Sequence, residues 1–80
     1  MIIRKEFLEE AIQRIENEIR ENKAGISYMV GENIFLRWDN SYKQIQVDDP
    51  ELTYYIHSSD FNYENLRELP IYLKRDYDIN

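Results

Sequence analysis

The hydrophobic period changes at Gly25 from helical spacing to alternation, and that change limits residues 1–57 to a helix followed by strands. Before it, Leu8, Ala11, Ile12, Ile15 and Ile19 recur at spacings of three and four. They form one apolar stripe on a helix predicted over residues 3–23, and Phe7 widens the stripe. The opposite face is charged. Glu10 precedes Arg14, and Glu16 precedes Arg20, by four positions in the favourable order, each pair contributing about 0.3–0.5 kcal/mol. Gly25 supplies the residue that adopts a left-handed conformation without a Cβ penalty, so the helix is predicted to stop there.

After Gly25 the period is two. Three short alternating runs, residues 26–30, 34–38 and 43–47, are separated by connections of hairpin length rich in Gly, Asn, Asp and Ser. Alternation puts Ile26, Tyr28, Val30, Ile34, Leu36, Trp38, Ile45 and Val47 on one face, which the helix stripe can cover. A fourth run, residues 52–57, follows the turn at residues 48–51 and adds a strand in which Leu52, Tyr54 and Ile56 alternate with Thr53, Tyr55 and His57. Ser58, Ser59 and Asp60 suit a helix start, and Leu66, Leu69 and Leu73 keep helical spacing across Pro70. Because proline disfavours helix at the residue before it, a helix is predicted over residues 61–68, then an extended or irregular tail with residues 76–80 frayed. The expected class is α+β: a long N-terminal helix packed on an antiparallel meander of three to four strands, then a short C-terminal helix, all in one domain over residues 1–80.

A domain of 80 residues buries about 60–65% of the surface its unfolded chain exposes, so its stability margin is modest. The chain has no cysteine, which excludes thiolate catalysis, thiolate metal sites and disulfides and fits a reducing compartment. The N-terminal residues meet acid at Glu6, and no apolar run reaches about 18 residues, so neither a signal peptide nor a membrane span is expected. The expected location is the cytoplasm of a bacterial host cell.

The search for chemistry is mostly negative. His57 is the lone histidine, and its neighbours Ser58 and Ser59 cannot by adjacency form a nucleophile, base and oxyanion site. Asp48, Asp49 and Glu51 invite a hard cation but lack the alternating ligands, the glycine and the distal glutamate of a calcium loop, and Pro50 stiffens their middle. Tyr28, Trp38 and Tyr54 read as packing residues of the core face. No catalytic residue, cofactor or metal site is assigned, and the chain is expected not to be an enzyme.

Charge gives the positive signal. The chain carries 16 acidic and 10 basic residues, a net charge of −6. Asp48, Asp49, Glu51, Asp60, Glu64 and Glu68 are opposed over that stretch only by Arg67. A concentrated negative field attracts basic surfaces and repels nucleic acid, and the bases are too scattered to bind nucleic acid directly. The expected partner is a basic protein, such as a nuclease or another nucleic-acid-binding enzyme, met by those six acids with Tyr55 and Phe35 as apolar anchors. The chain is similar in size, charge and element order to small acidic proteins of phages and plasmids, including some anti-CRISPR proteins. That similarity implies an inhibitor that occupies a nucleic-acid groove; it aligns no motif, so no functional residue is carried over. Two alternatives stand beside it: an immunity protein or antitoxin against a toxic nuclease, which would use the same acids, and an assembly module, a homodimer included, joined through a strand edge or through the second sheet face. That second face carries Ser27, Met29, Phe35, Arg37, Gln44, Gln46, Thr53, Tyr55 and His57. Either the C-terminal helix covers it or it is a contact surface.

Overall fold

The computed structural model describes residues 1–80 and shows an α+β fold. In chain order the elements are β1 (Ile2–Ile3), α1 (Lys5–Glu21), β2 (Ser27–Gly31), β3 (Ile34–Asp39), β4 (Gln44–Asp48), β5 (Thr53–His57), a 3-10 turn (Leu66–Glu68), α2 (Leu69–Leu73) and β6 (Asp78–Ile79). The six strands form one sheet in the order β5-β4-β3-β2-β1-β6. From β1 to β5 sheet neighbours are antiparallel, whereas β1 and β6 run parallel. The predicted helix, the meander of β2, β3 and β4, and the added strand β5 are therefore all present.

The stripe on α1 buries Leu8, Ala11, Ile12 and Ile15 against Val30, Ile34, Leu36, Trp38, Ile45 and Val47, all at most 3% exposed. Glu18 is drawn in with them. Its Oε2 accepts a hydrogen bond from the Tyr28 hydroxyl at 2.6 Å, and burial together with that carboxylate pushes the tyrosine pKa up to about 12. Phe7 does not widen the stripe: it is exposed, with the Arg4 guanidinium 5.7 Å from its ring centroid. Glu10 and Arg14 pair at 3.0 Å as the spacing predicts. Glu16 instead turns to Arg67 at 3.3 Å, tying α1 to the 3-10 turn, while Arg20 bonds Asn17.

Four further expectations about boundaries and burial are corrected. Helix α1 stops at Asn22, not Gly25: Asn22 takes the left-handed conformation at φ 57°, and the Lys23 N–H closes back on the Glu18 carbonyl at 2.7 Å. Asparagine tolerates that conformation, so the glycine three residues on is left to shape the connection at φ 99°. Ile26 and Leu52 lie outside their strands and are exposed, because each immediately precedes the first residue of its strand. No helix spans residues 61–68: Pro70 falls in the first turn of α2, where its missing N–H has no helical partner to lose. Lastly, residues 76–80 do not fray. The Asp78 N–H donates to the Met1 carbonyl and the Asn80 N–H to the Ile3 carbonyl, both at 3.0 Å, and Tyr77 is buried.

Phe61, Leu66, Leu69 and Leu73 join the same core as the α1 stripe, and Tyr63 lies against Trp38 with ring centroids 5.4 Å apart. Both helical elements thus pack on one face of the sheet. The other face has no covering layer.

Candidate functional site

The uncovered face is built by the alternate residues of four strands. Register sets Met29, Phe35, Asp48 and Thr53 in one row, Ser27, Arg37, Gln46 and Tyr55 in the next, and Asp39, Gln44 and His57 in the third. Met29 and Tyr55 are about half exposed, and Phe35 is partly so. Gln44 is the buried exception, its amide donating to Asp39 Oδ2 at 3.1 Å. Three of the eight predicted contact residues meet here: Phe35 stands directly beside Asp48, and Tyr55 is one row away on β5.

The acids divide by what holds them. Asp48 accepts the Thr53 hydroxyl at 2.5 Å and the Gln46 amide at 2.8 Å, so its carboxylate is fixed at the end of the face. Asp49 turns away from it. Its Oδ1 accepts the backbone N–H groups of Glu51 and Leu52 at 2.8 and 2.9 Å, an Asx turn that closes the β4–β5 connection, and its Oδ2 accepts the Tyr77 hydroxyl at 2.6 Å. The Tyr77 bond first, and the Glu51 N–H second, hold this carboxyl below the usual range. Burial, followed by the bond to Asp49, pushes the Tyr77 hydroxyl up. Glu51 is exposed on the same turn, and Asp60 is exposed just past the other end of β5. Glu64 and Glu68 are also exposed, but they belong to the segment that inserts Leu66 and Leu69 into the covered side. The six acids therefore do not make one surface. Asp48, Glu51 and Asp60 frame β5, Asp49 is a structural carboxylate, and Glu64 and Glu68 face outward from the helical layer.

One feature lies outside the sequence reading, and another, Met29, is named on the second face but not as an anchor. Asp76 and Arg75, placed there in or beside a frayed tail, line a cleft beside β5 with Tyr54, Tyr55 and Tyr72. Met29 contributes more open apolar surface than Phe35. The available signal was Tyr77, a lone aromatic between Asp76 and Asp78, since a tail that only frays has no use for one. His57 sits exposed on the uncovered face opposite Gln44. No group of three or more His, Cys, Asp or Glu side chains is placed to hold a metal ion, and no helix is long and apolar enough to cross a membrane. No protein-family model matches the chain, and no curated protein or solved structure matches it either.

Proposed function

We propose that the chain is a non-catalytic binding protein that docks on the basic, nucleic-acid-binding surface of an enzyme and blocks it. The observation that supports this reading is a six-stranded sheet covered on one face only, whose bare face sets Phe35 and Tyr55 beside a fixed carboxylate, Asp48. Aromatic side chains with a polar margin suit the centre and rim of a protein contact. The net charge of −6 steers a basic partner toward it and keeps nucleic acid away. Glu51 and Asp60, whose carboxylates are exposed at the two ends of β5, extend the negative margin.

The test uses purified basic nucleases as probes, with association measured across a salt series and in competition with a DNA oligonucleotide. Binding should compete with the oligonucleotide, and its on-rate should fall steeply with salt. Glu51→Lys combined with Asp60→Lys should slow association at least tenfold at low salt and less at high salt, with the melting temperature unchanged. A double variant that associates as fast as the parent at every salt concentration sinks the reading.

A further inference from the structure

We propose that the outer edge of β5 is a second docking element, which takes up an extended segment of the partner protein as a seventh strand. The backbone pattern carries the inference. The Ser58 N–H donates to the Lys43 carbonyl at 3.2 Å, and the Asp49 N–H donates to the Leu52 carbonyl at 2.9 Å. These two pairs continue the register in which Gln44 faces His57 and Asp48 faces Thr53. Antiparallel pairs alternate between exchanging hydrogen bonds and not, so Tyr54 and Ile56 bond to β4. Thr53, Tyr55 and His57 must then aim their backbone groups away from it. The His57 carbonyl accepts the Asp60 and Phe61 N–H groups at 2.8 and 3.3 Å. Both groups of Thr53 and Tyr55, and the His57 N–H, have no backbone partner.

Exposed edges are normally blunted by charge, proline, a bulge or brevity. Strand β5 has none of these: its sequence is Thr-Tyr-Tyr-Ile-His, its register is unbroken, and it is five residues long, whereas the opposite edge, β6, has two. Beside it runs a cleft of about 340 Å³ between Tyr54, Tyr55 and Ile56 on one side and Tyr72, Arg75 and Asp76 on the other, with Asp60 at its end. The cleft is held open by structure. The Tyr72 hydroxyl donates to the Asp60 carbonyl at 2.8 Å, and the Arg75 guanidinium lies over the Tyr72 ring at 5.2 Å. An added strand would place alternate side chains in this cleft and the others beside Tyr55.

A second copy fits the edge poorly. Antiparallel self-pairing centred on Tyr55 puts Thr53 opposite His57, whose carbonyl is already taken twice, and it brings together two chains of charge −6. A foreign strand with an uncharged middle and basic flanks meets Glu51 near one end of β5 and Asp60 near the other. The basic flanks rest on the function proposed above; the strand pairing does not.

The probe is an acetylated peptide amide, Lys-Thr-Val-Thr-Val-Thr-Lys, titrated at millimolar concentration and read by amide chemical shifts and fluorescence polarisation. It should bind and shift the Thr53, Tyr55 and His57 amides. Methylating the alternate peptide nitrogens that face β5 should weaken binding at least tenfold, and methylating the other set should not. Tyr55→Pro removes an N–H that points away from β4, so it should keep the circular-dichroism melt and lose binding tenfold. If that variant does not fold, the two methylated peptides read the same bond on the parent protein. Equal binding of both methylated peptides, or no binding at all, overturns the proposal. So does a parent dimer in light scattering that Tyr55→Pro dissociates. A peptide with glutamate in place of both lysines separates the two readings. If it binds as well and methylation still discriminates, the edge stands and the basic partner falls; if lysine matters and methylation does not, the edge falls alone.

Discussion

Asp49 shows how far a residue's type is from its role. Counted by charge it belongs to the acidic stretch, yet its carboxylate closes the β4–β5 turn with one oxygen and holds Tyr77 with the other. The turn was legible, because an aspartate ahead of proline in a polar run is an Asx-turn candidate. The Tyr77 bond was not, since 28 residues separate the partners and only the docked tail brings them together. The pH dependence follows from the direction of the shift. A carboxyl whose folded pKa lies below its unfolded value, about 3.9, stabilises the fold above that value, and the contribution is lost as pH falls through the folded pKa. Asp49→Asn should lower the melting temperature by a few degrees at neutral pH. The gap to the parent should stay constant down to about pH 4 and close below it. A gap that persists unchanged into strong acid would show that the charge of Asp49 contributes nothing.

At the scale of elements, legibility followed length. Helix α1 spans 17 residues, and its stripe was readable because several turns repeat the same spacing. Strands β2 to β5, of five or six residues each, alternate long enough to be recognised. Strands β1 and β6 have two residues each and no period to read; they exist because β1 pairs with β2 on one side and β6 pairs with β1 on the other. Gly31 is the joint that admits them. The register of β2 on β3 shifts between Met29 and Gly31, and Gly31 faces Ile3, so a Cβ on Gly31 would run into the Ile2 carbonyl oxygen and crowd Ile34 Cδ1 at 3.2 Å. The obstruction on one side is backbone, which cannot rotate aside. Gly31→Ala should therefore cost about 1–3 kcal/mol, the range of overpacked sites, and should act through β1. Hydrogen exchange checks this directly: the Asp78 and Asn80 amides, bonded to Met1 and Ile3, should lose protection first. If they exchange as in the parent while stability falls, the strain lies against Ile34 instead.

The whole molecule is a sheet with one dry side. That asymmetry could not be read from alternation, which gave each strand two faces but did not say where the C-terminal segment would go. The answer lay in Leu66, Leu69 and Leu73: they enter the core that α1 already covers, and Tyr63 stacks on Trp38 from that side. Once both layers share a face, the opposite one stays bare, and apolar residues on the two faces should differ sharply in what they contribute. Leu36 is fully buried on the covered face, and Leu36→Ala should cost about 2–5 kcal/mol, a large part of the stability of so small a domain. Met29 and Tyr55 lie on the bare face with 54% and 48% of their surfaces exposed, and Met29→Ser or Tyr55→Ser should each change stability by about 0.5 kcal/mol or less. Urea denaturation of the three single variants reads the contrast. A loss at Met29 or Tyr55 approaching that at Leu36 would mean that the bare face is closed in solution, by self-association or by another part of the chain. A small loss leaves its apolar groups free of any duty to the fold, which is the condition a contact surface needs, because residues that hold the core cannot also be exchanged between solvent and partner.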